Sequence, residues 1–111
     1  MAWEILLFES KRGEKLVEEF IKEQQPQVKS KIIHDIRLLK QYGNQLGMPH
    51  SKMLGNGLYE LRIRGKIEIR IFYSFRKNFI YLLHVFKKQA QKTPNKELDI
   101  AIQRLNSLTK V

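Results

Sequence analysis

The stretch from Leu58 to Lys88, LYELRIRGKIEIRIFYSFRKNFIYLLHVFKK, contains three strand-like runs broken at Gly65-Lys66 and at Arg76-Lys77-Asn78. Successive side chains of a strand point to opposite sides of the sheet, so an alternating run fixes its own two faces. In the first run Tyr59, Leu61 and Ile63 fall on one side, and Glu60, Arg62 and Arg64 on the other. The second run repeats the pattern, with Ile67, Ile69, Ile71 and Tyr73 set against Glu68, Arg70 and Phe72. The third, Phe79 to Lys88, is apolar on both sides until His84, Phe86, Lys87 and Lys88, as a strand covered on both faces would be. A sheet with one oily and one basic face follows.

The rest of the chain reads as support for that sheet. Residues Trp3 to Phe8 form a short apolar run that suits a first strand. Ser10 is placed to cap a helix from Lys11 to about Gln24, with Leu16, Val17, Phe20 and Ile21 as its apolar stripe. Pro26 suits the first turn of a second helix, which carries Val28, Ile32, Ile36 and Leu39 and meets an end signal at Gly43-Asn44. From Asn44 to Gly57 the chain has no periodicity and reads as a loop. Thr93-Pro94 opens a last helix with the stripe Leu98, Ala101, Ile102, Leu105 and Leu108. The resulting order, β-α-α-β-β-β-α, predicts a single α+β domain over residues 1–111: a small, mainly antiparallel sheet with a helical hairpin on its oily face. The basic face is expected to stay partly open.

Charge points the same way. The net charge is +10, and residues 37–96 hold thirteen Lys or Arg against only Glu60 and Glu68. Such a one-sided field attracts polyanions, nucleic acid first and an anionic membrane second, and also suits an acidic protein partner. Solubility alone is the plainer account of such a charge. The chain has no Cys, which excludes a disulfide framework and a thiolate metal site. Its first residues, MAWEILLFES, are too short and too acidic for a secretory signal, and no apolar run has the roughly 18 residues of a membrane span. A soluble, cytoplasmic protein with no membrane partner is expected.

Order and motifs together resemble the RelE/ParE superfamily of toxins from type II toxin-antitoxin systems, and within it the HigB-like, phage-derived branch. The resemblance rests on KMLGNGLYELRIR (Lys52 to Arg64), RIFY (Arg70 to Tyr73), LLHVFKK (Leu82 to Lys88) and the TP-x-x-E-L-x-x-A-x-x-R run from Thr93 to Arg104, and spans about Trp3 to Leu108. It implies a ribosome-dependent, metal-independent mRNA endonuclease that needs no cofactor and is silenced by a cognate helix-turn-helix antitoxin, HigA-like in kind. It also implies that Arg62, Arg70 and Lys88 stand where the family keeps its basic catalytic and phosphate-binding residues. One departure is visible. Some members carry a tyrosine near the start of the last helix for acid or base work, and Gln89 to Glu97 contains none.

RNA cleavage through the 2′-OH requires one proton to be removed, charge on the phosphoryl oxygens to be neutralised and the 5′ oxygen to be helped away. Arginine meets the second need through its permanently charged, two-pronged guanidinium, which assigns Arg62 and Arg70. Lys88 suits the phosphate or the leaving group, and His84 suits proton transfer, with Glu60 as its competitor. Lys52, Arg64, Lys66, Lys87 and Lys92 are candidate RNA contacts, and Phe86, with Phe72, is placed to stack on a base. Each residue has a plainer reading. The cations suit a solvated sheet face paired with Glu60 and Glu68, His84 a hydrogen-bonded core histidine, and the two phenylalanines packing under the last helix. His34 and His50 are too scattered to join His84 in a metal site. Two alternatives use the same scaffold: a ParE-like, non-enzymatic gyrase inhibitor, and a basic RNA-binding module without activity.

Overall fold

The computed structural model of the protein describes residues 3–108. Their elements are β1 (Glu4–Leu7), α1 (Leu16–Lys22), α2 (Pro26–Tyr42), a 3-10 turn (Gly43–Gln45), β2 (Ser51–Gly55), β3 (Leu58–Ile63), β4 (Ile69–Arg76), β5 (Phe79–Lys87) and α3 (Asn95–Leu108). The five strands form one sheet in the order β1-β5-β4-β3-β2. Only β1 runs parallel to its neighbour, β5; the other three pairs are antiparallel. The α+β class and the mainly antiparallel sheet are as the alternation predicts.

Two apolar clusters follow from the two faces of the sheet. On the oily face Leu61, Ile63, Ile69, Ile71, Tyr73, Ile80, Leu82 and Val85 bury against Val17 of α1 and Ile32 and Leu39 of α2. The opposite face is not left bare. Phe72, Leu83 and Phe86 are buried there with Leu58 of β3 and with Ala101 and Leu105 of α3, so the last helix covers the β4-β5 half of the face predicted to be basic. Ile102, placed in that helix's apolar stripe, lies outside the contact and is 45% exposed.

Two boundaries differ from the sequence reading, each for a local reason. Residues 51–55 form an edge strand where a loop is predicted. Only Ser51 of that strand is buried, so it has no apolar alternation to read and is held by backbone pairing to β3. Helix α1 begins at Leu16 and not at Lys11. Ser10 caps a tight turn instead: its Oγ accepts from the Glu14 N–H (3.0 Å), its N–H donates to the Glu14 carbonyl, and Gly13 takes φ +81°.

Candidate functional site

Register decides what shares the face beneath α3. Glu60 pairs with Phe72 and Phe72 with His84; one row along, Arg62 pairs with Arg70 and Arg70 with Phe86. Residues directly opposite in an antiparallel pair point to the same side, and successive rows on one face lie two residues, about 7 Å, apart. Lys52 on β2 joins the first row opposite Glu60. The Lys88 N–H donates to the Glu68 carbonyl (2.8 Å), which prolongs the β4-β5 ladder into a third row. The arginines, His84 and Lys88 therefore belong to one face, as strand parity predicts.

Parity does not account for Leu83, which shares that face with its neighbour His84. The β4-β5 register slips between Tyr73, paired with Leu82, and Phe72, paired with His84, so Leu83 is an extra residue on β5. Such a bulge turns two neighbouring side chains to one side. Leu83 accordingly joins the cluster under α3, while the His84 ring stacks on Phe86 (centroids 5.7 Å, 19° between planes) and lies 6.4 Å from Phe72. Arg104 of α3 donates to the Leu83 carbonyl (2.7 Å) and lies over the Phe8 ring at 5.1 Å. Burial holds the Arg104 pKa below its ordinary value, against the pull of Glu14.

The arginines are held by carboxylates. Arg62 Nε donates to Glu60 Oε1 (2.9 Å), and Arg70 Nη1 donates to Glu68 Oε1 (2.9 Å). Arg70 Nε lies 3.8 Å from Glu60 Oε2, within ion-pair range but too far for a hydrogen bond. Thr93, predicted as a helix cap, reaches Glu60 Oε2 with its hydroxyl at 3.4 Å. Arg70 and Glu60 are 4% and 3% exposed, whereas the Arg62 side chain keeps 19%. The centre of the face is thus charge-balanced and largely enclosed, and the partly open face that the sequence predicts is open on the β2-β3 side, where Lys52 is exposed and Arg62 half-buried. Glu60, offered as a rival to His84 for proton transfer, has both oxygens committed to Arg62, Arg70 and Thr93; its geometry orients guanidinium groups.

His84 has a partner that the sequence reading passed over. Its Nε2 lies 2.8 Å from Glu97 Oε1 in the first turn of α3, with the two side chains 13% and 16% exposed. A carboxylate can only accept, so Nε2 carries the proton, and in the neutral ring Nδ1 keeps its lone pair. Burial lowers the His84 pKa from its ordinary 6.5, and Glu97 pulls the other way. The net downward shift favours the neutral imidazole, the form a proton acceptor needs. Glu97 stands in the first turn of α3, within the segment Gln89 to Glu97 that contains no tyrosine. Its signal was present in TP-x-x-E, but an acidic residue in a first helical turn equally suits the helix dipole, so spacing alone does not mark it as a partner of His84.

The remaining predicted contacts divide. Lys52, Lys87 and Lys92 are exposed on β2, at the end of β5 and on the connection to α3, and Lys88 is half-buried. Arg64 and Lys66 are exposed on the β3-β4 turn, where they line a cavity of about 570 Å³ with Val28 and Ile67 near the start of α2. Phe86 and Phe72 are 6% and 0% exposed beneath α3. Neither can stack on a base while the helix is docked, which corrects that assignment. Among the described residues no three His, Asp or Glu side chains gather to hold a metal ion, and no helix is long and apolar enough to cross a membrane.

A five-stranded sheet with a helical hairpin on one face, and a cross-strand arginine pair beside a carboxylate-held histidine on the other, defines a small α+β domain with its charged groups gathered on one face. The model of the phage-derived, Gp49-like proteins (DUF891) matches residues 19–106, and the chain belongs to that family, a RelE-like toxin family. No curated protein sequence matches the chain.

Proposed function

We propose that the protein is the toxin of a type II toxin-antitoxin pair, of the HigB-like kind, and that it cleaves mRNA on the ribosome without a metal. The observation that carries this reading is the cross-strand pair Arg62 and Arg70, one row from the His84–Glu97 dyad on the same face. In the reaction, His84 Nδ1 takes the proton of a 2′-OH, and the 2′ oxygen attacks the adjacent phosphorus. Arg62 and Arg70 neutralise the phosphoryl oxygens. Lys88 gives a proton to the 5′ oxygen as its bond to phosphorus breaks, leaving a 2′,3′-cyclic phosphate and a 5′-hydroxyl. A helix-turn-helix antitoxin is the proposed silencing partner.

Induction in growing cells should arrest growth and produce discrete breaks in translated mRNA, read by primer extension. Arg62→Gln should slow cleavage about 10²–10³-fold, the usual loss for one transition-state donor, with an unchanged circular-dichroism spectrum. Arg62 is the better test than Arg70→Ala, which would leave Glu68 and the buried Glu60 without their shared cation. Undiminished cleavage in Arg62→Gln would remove the assignment. The enclosure of Arg70 favours one second reading, a ParE-like inhibitor of gyrase that needs no phosphate grip; loss of supercoiling before any mRNA is cut would select it.

A further inference from the structure

Arg70 cannot move far and Glu68 can. The Arg70 side chain is 5% exposed, and its Nε lacks any hydrogen-bond partner among the described residues. Glu68 stands just before β4, on the exposed turn, with 35% of its side chain in solvent. One of its carboxylate oxygens accepts from Arg70 Nη1 at 2.9 Å, and the other from the Gly65 N–H at 3.3 Å. Arg70 Nη1 also reaches the Ile69 carbonyl at 3.4 Å. A guanidinium N–H and a main-chain N–H that together hold two oxygens of one anion form the donor set of a phosphate site. Gly65 is exposed, and the turn adds the exposed cations Arg64, whose charge acts on Glu68, and Lys66.

We infer that Arg70 Nη1 and the Gly65 N–H are a seat for the backbone phosphodiester of single-stranded RNA, and that Glu68 fills it in the free protein as a stand-in for the phosphate. The seat rests on the nucleic-acid reading above and deepens it. A partly exposed ion pair contributes little to stability, so the carboxylate can leave at small cost, while Arg70 stays fixed and ready. Binding then exchanges one carboxylate for one phosphate, and the intrinsic affinity of the site is hidden by its own chain. Glu68 is in this sense a positioning residue and a competitor, not a group that touches the reacting atoms.

The test compares Glu68→Gln with Glu18→Gln, a variant of equal net charge on α1, where the carboxylate lies 4.0 Å from Lys22 Nζ. The probe is a fluorescent, uncleavable 2′-deoxy-substituted RNA pentamer. Glu68→Gln should bind it at least tenfold more tightly than wild type, because the seat no longer has to be vacated by its own carboxylate. Glu18→Gln should gain less than threefold. Amide NMR with dimethyl phosphate supplies a second readout that needs no change at Arg70: the Gly65 N–H should shift in Glu68→Gln and stay still in wild type. Equal affinities for the two variants, with an unmoved Gly65 signal, would overturn the seat while leaving cleavage by Arg62 and His84 open to its own test. A Gly65 signal that responds to dimethyl phosphate in a protein that binds the pentamer but cuts no mRNA would keep the seat and remove the nuclease reading.

Discussion

Glu97 and burial pull on the same imidazole in opposite directions, and burial is the larger influence on His84. Replacing Glu97 by Gln leaves burial unopposed, so the His84 pKa should fall further below 6.5, read from its ring protons in an NMR titration. A pKa that rises in the variant would show that Glu97 does not act on His84. If His84 is the proton acceptor, the acid limb of the rate profile should move down with it, a change that a merely structural contact would not produce. A second residue is fixed by shape. Gly43 takes φ +53°, and a Cβ there would run into the Trp3 indole. Gly43→Ala should therefore cost about 2–4 kcal/mol, measured by urea denaturation. Gly43 was legible as a helix stop because glycine tolerates that backbone conformation. The indole packed against it was not, since Trp3 lies forty residues away in the chain.

Among the elements, α3 does most to shape the site. It carries Glu97 to His84, roofs Phe72 and Phe86, and through Arg104 donates to the carbonyl of the bulged Leu83. Arg104→Met keeps much of the apolar stem but leaves that carbonyl without its donor, and should cost about 1–3 kcal/mol. Leu105→Ala, opening a gap between α3 and the sheet, should cost about 2–4 kcal/mol. Thermal melts check both, and unchanged melting in Arg104→Met would mean that the bulge carbonyl finds another donor. The alternation in β3 and β4 was readable because each of their side chains has one face to choose. The edge strand β2 was not, because it is held by main-chain pairing that leaves no trace in side-chain polarity. The bulge was equally silent: it is a mismatch between two strands, and neither strand alone records it.

For the whole molecule, three shifted groups set a window of pH stability. His84 is held below 6.5, so the unfolded chain binds its proton first, and this contribution is lost as pH falls from 6.5 through the folded value. Glu68 is held below 4.5, chiefly by its hydrogen bond to Arg70, and its small contribution is lost further down in acid. Tyr73, which shares a buried hydrogen bond with Ser51, is pushed up to about 12 from 10.0 mainly by burial. The folded state keeps the Tyr73 proton longer, so that contribution disappears as pH rises from 10 towards 12. Melting temperature should therefore hold a plateau between about pH 7 and 10 and fall on both sides. Tyr73→Phe should flatten the alkaline fall, and His84→Gln the first part of the acid one.

What the sequence determined by itself was the set of elements whose side chains alternate, the two chemically unlike faces of the sheet, and the cations that ride on one of them. These follow from backbone geometry, which makes each residue's direction a matter of counting. Only the tertiary structure decided that α3 closes half of that face, that Glu60 and Glu68 neutralise its centre, and that Glu97 meets His84 across thirteen residues. Each of those outcomes depends on which distant group arrives within about 3–4 Å, where desolvated charges interact strongly, and no local pattern in the chain encodes that distance.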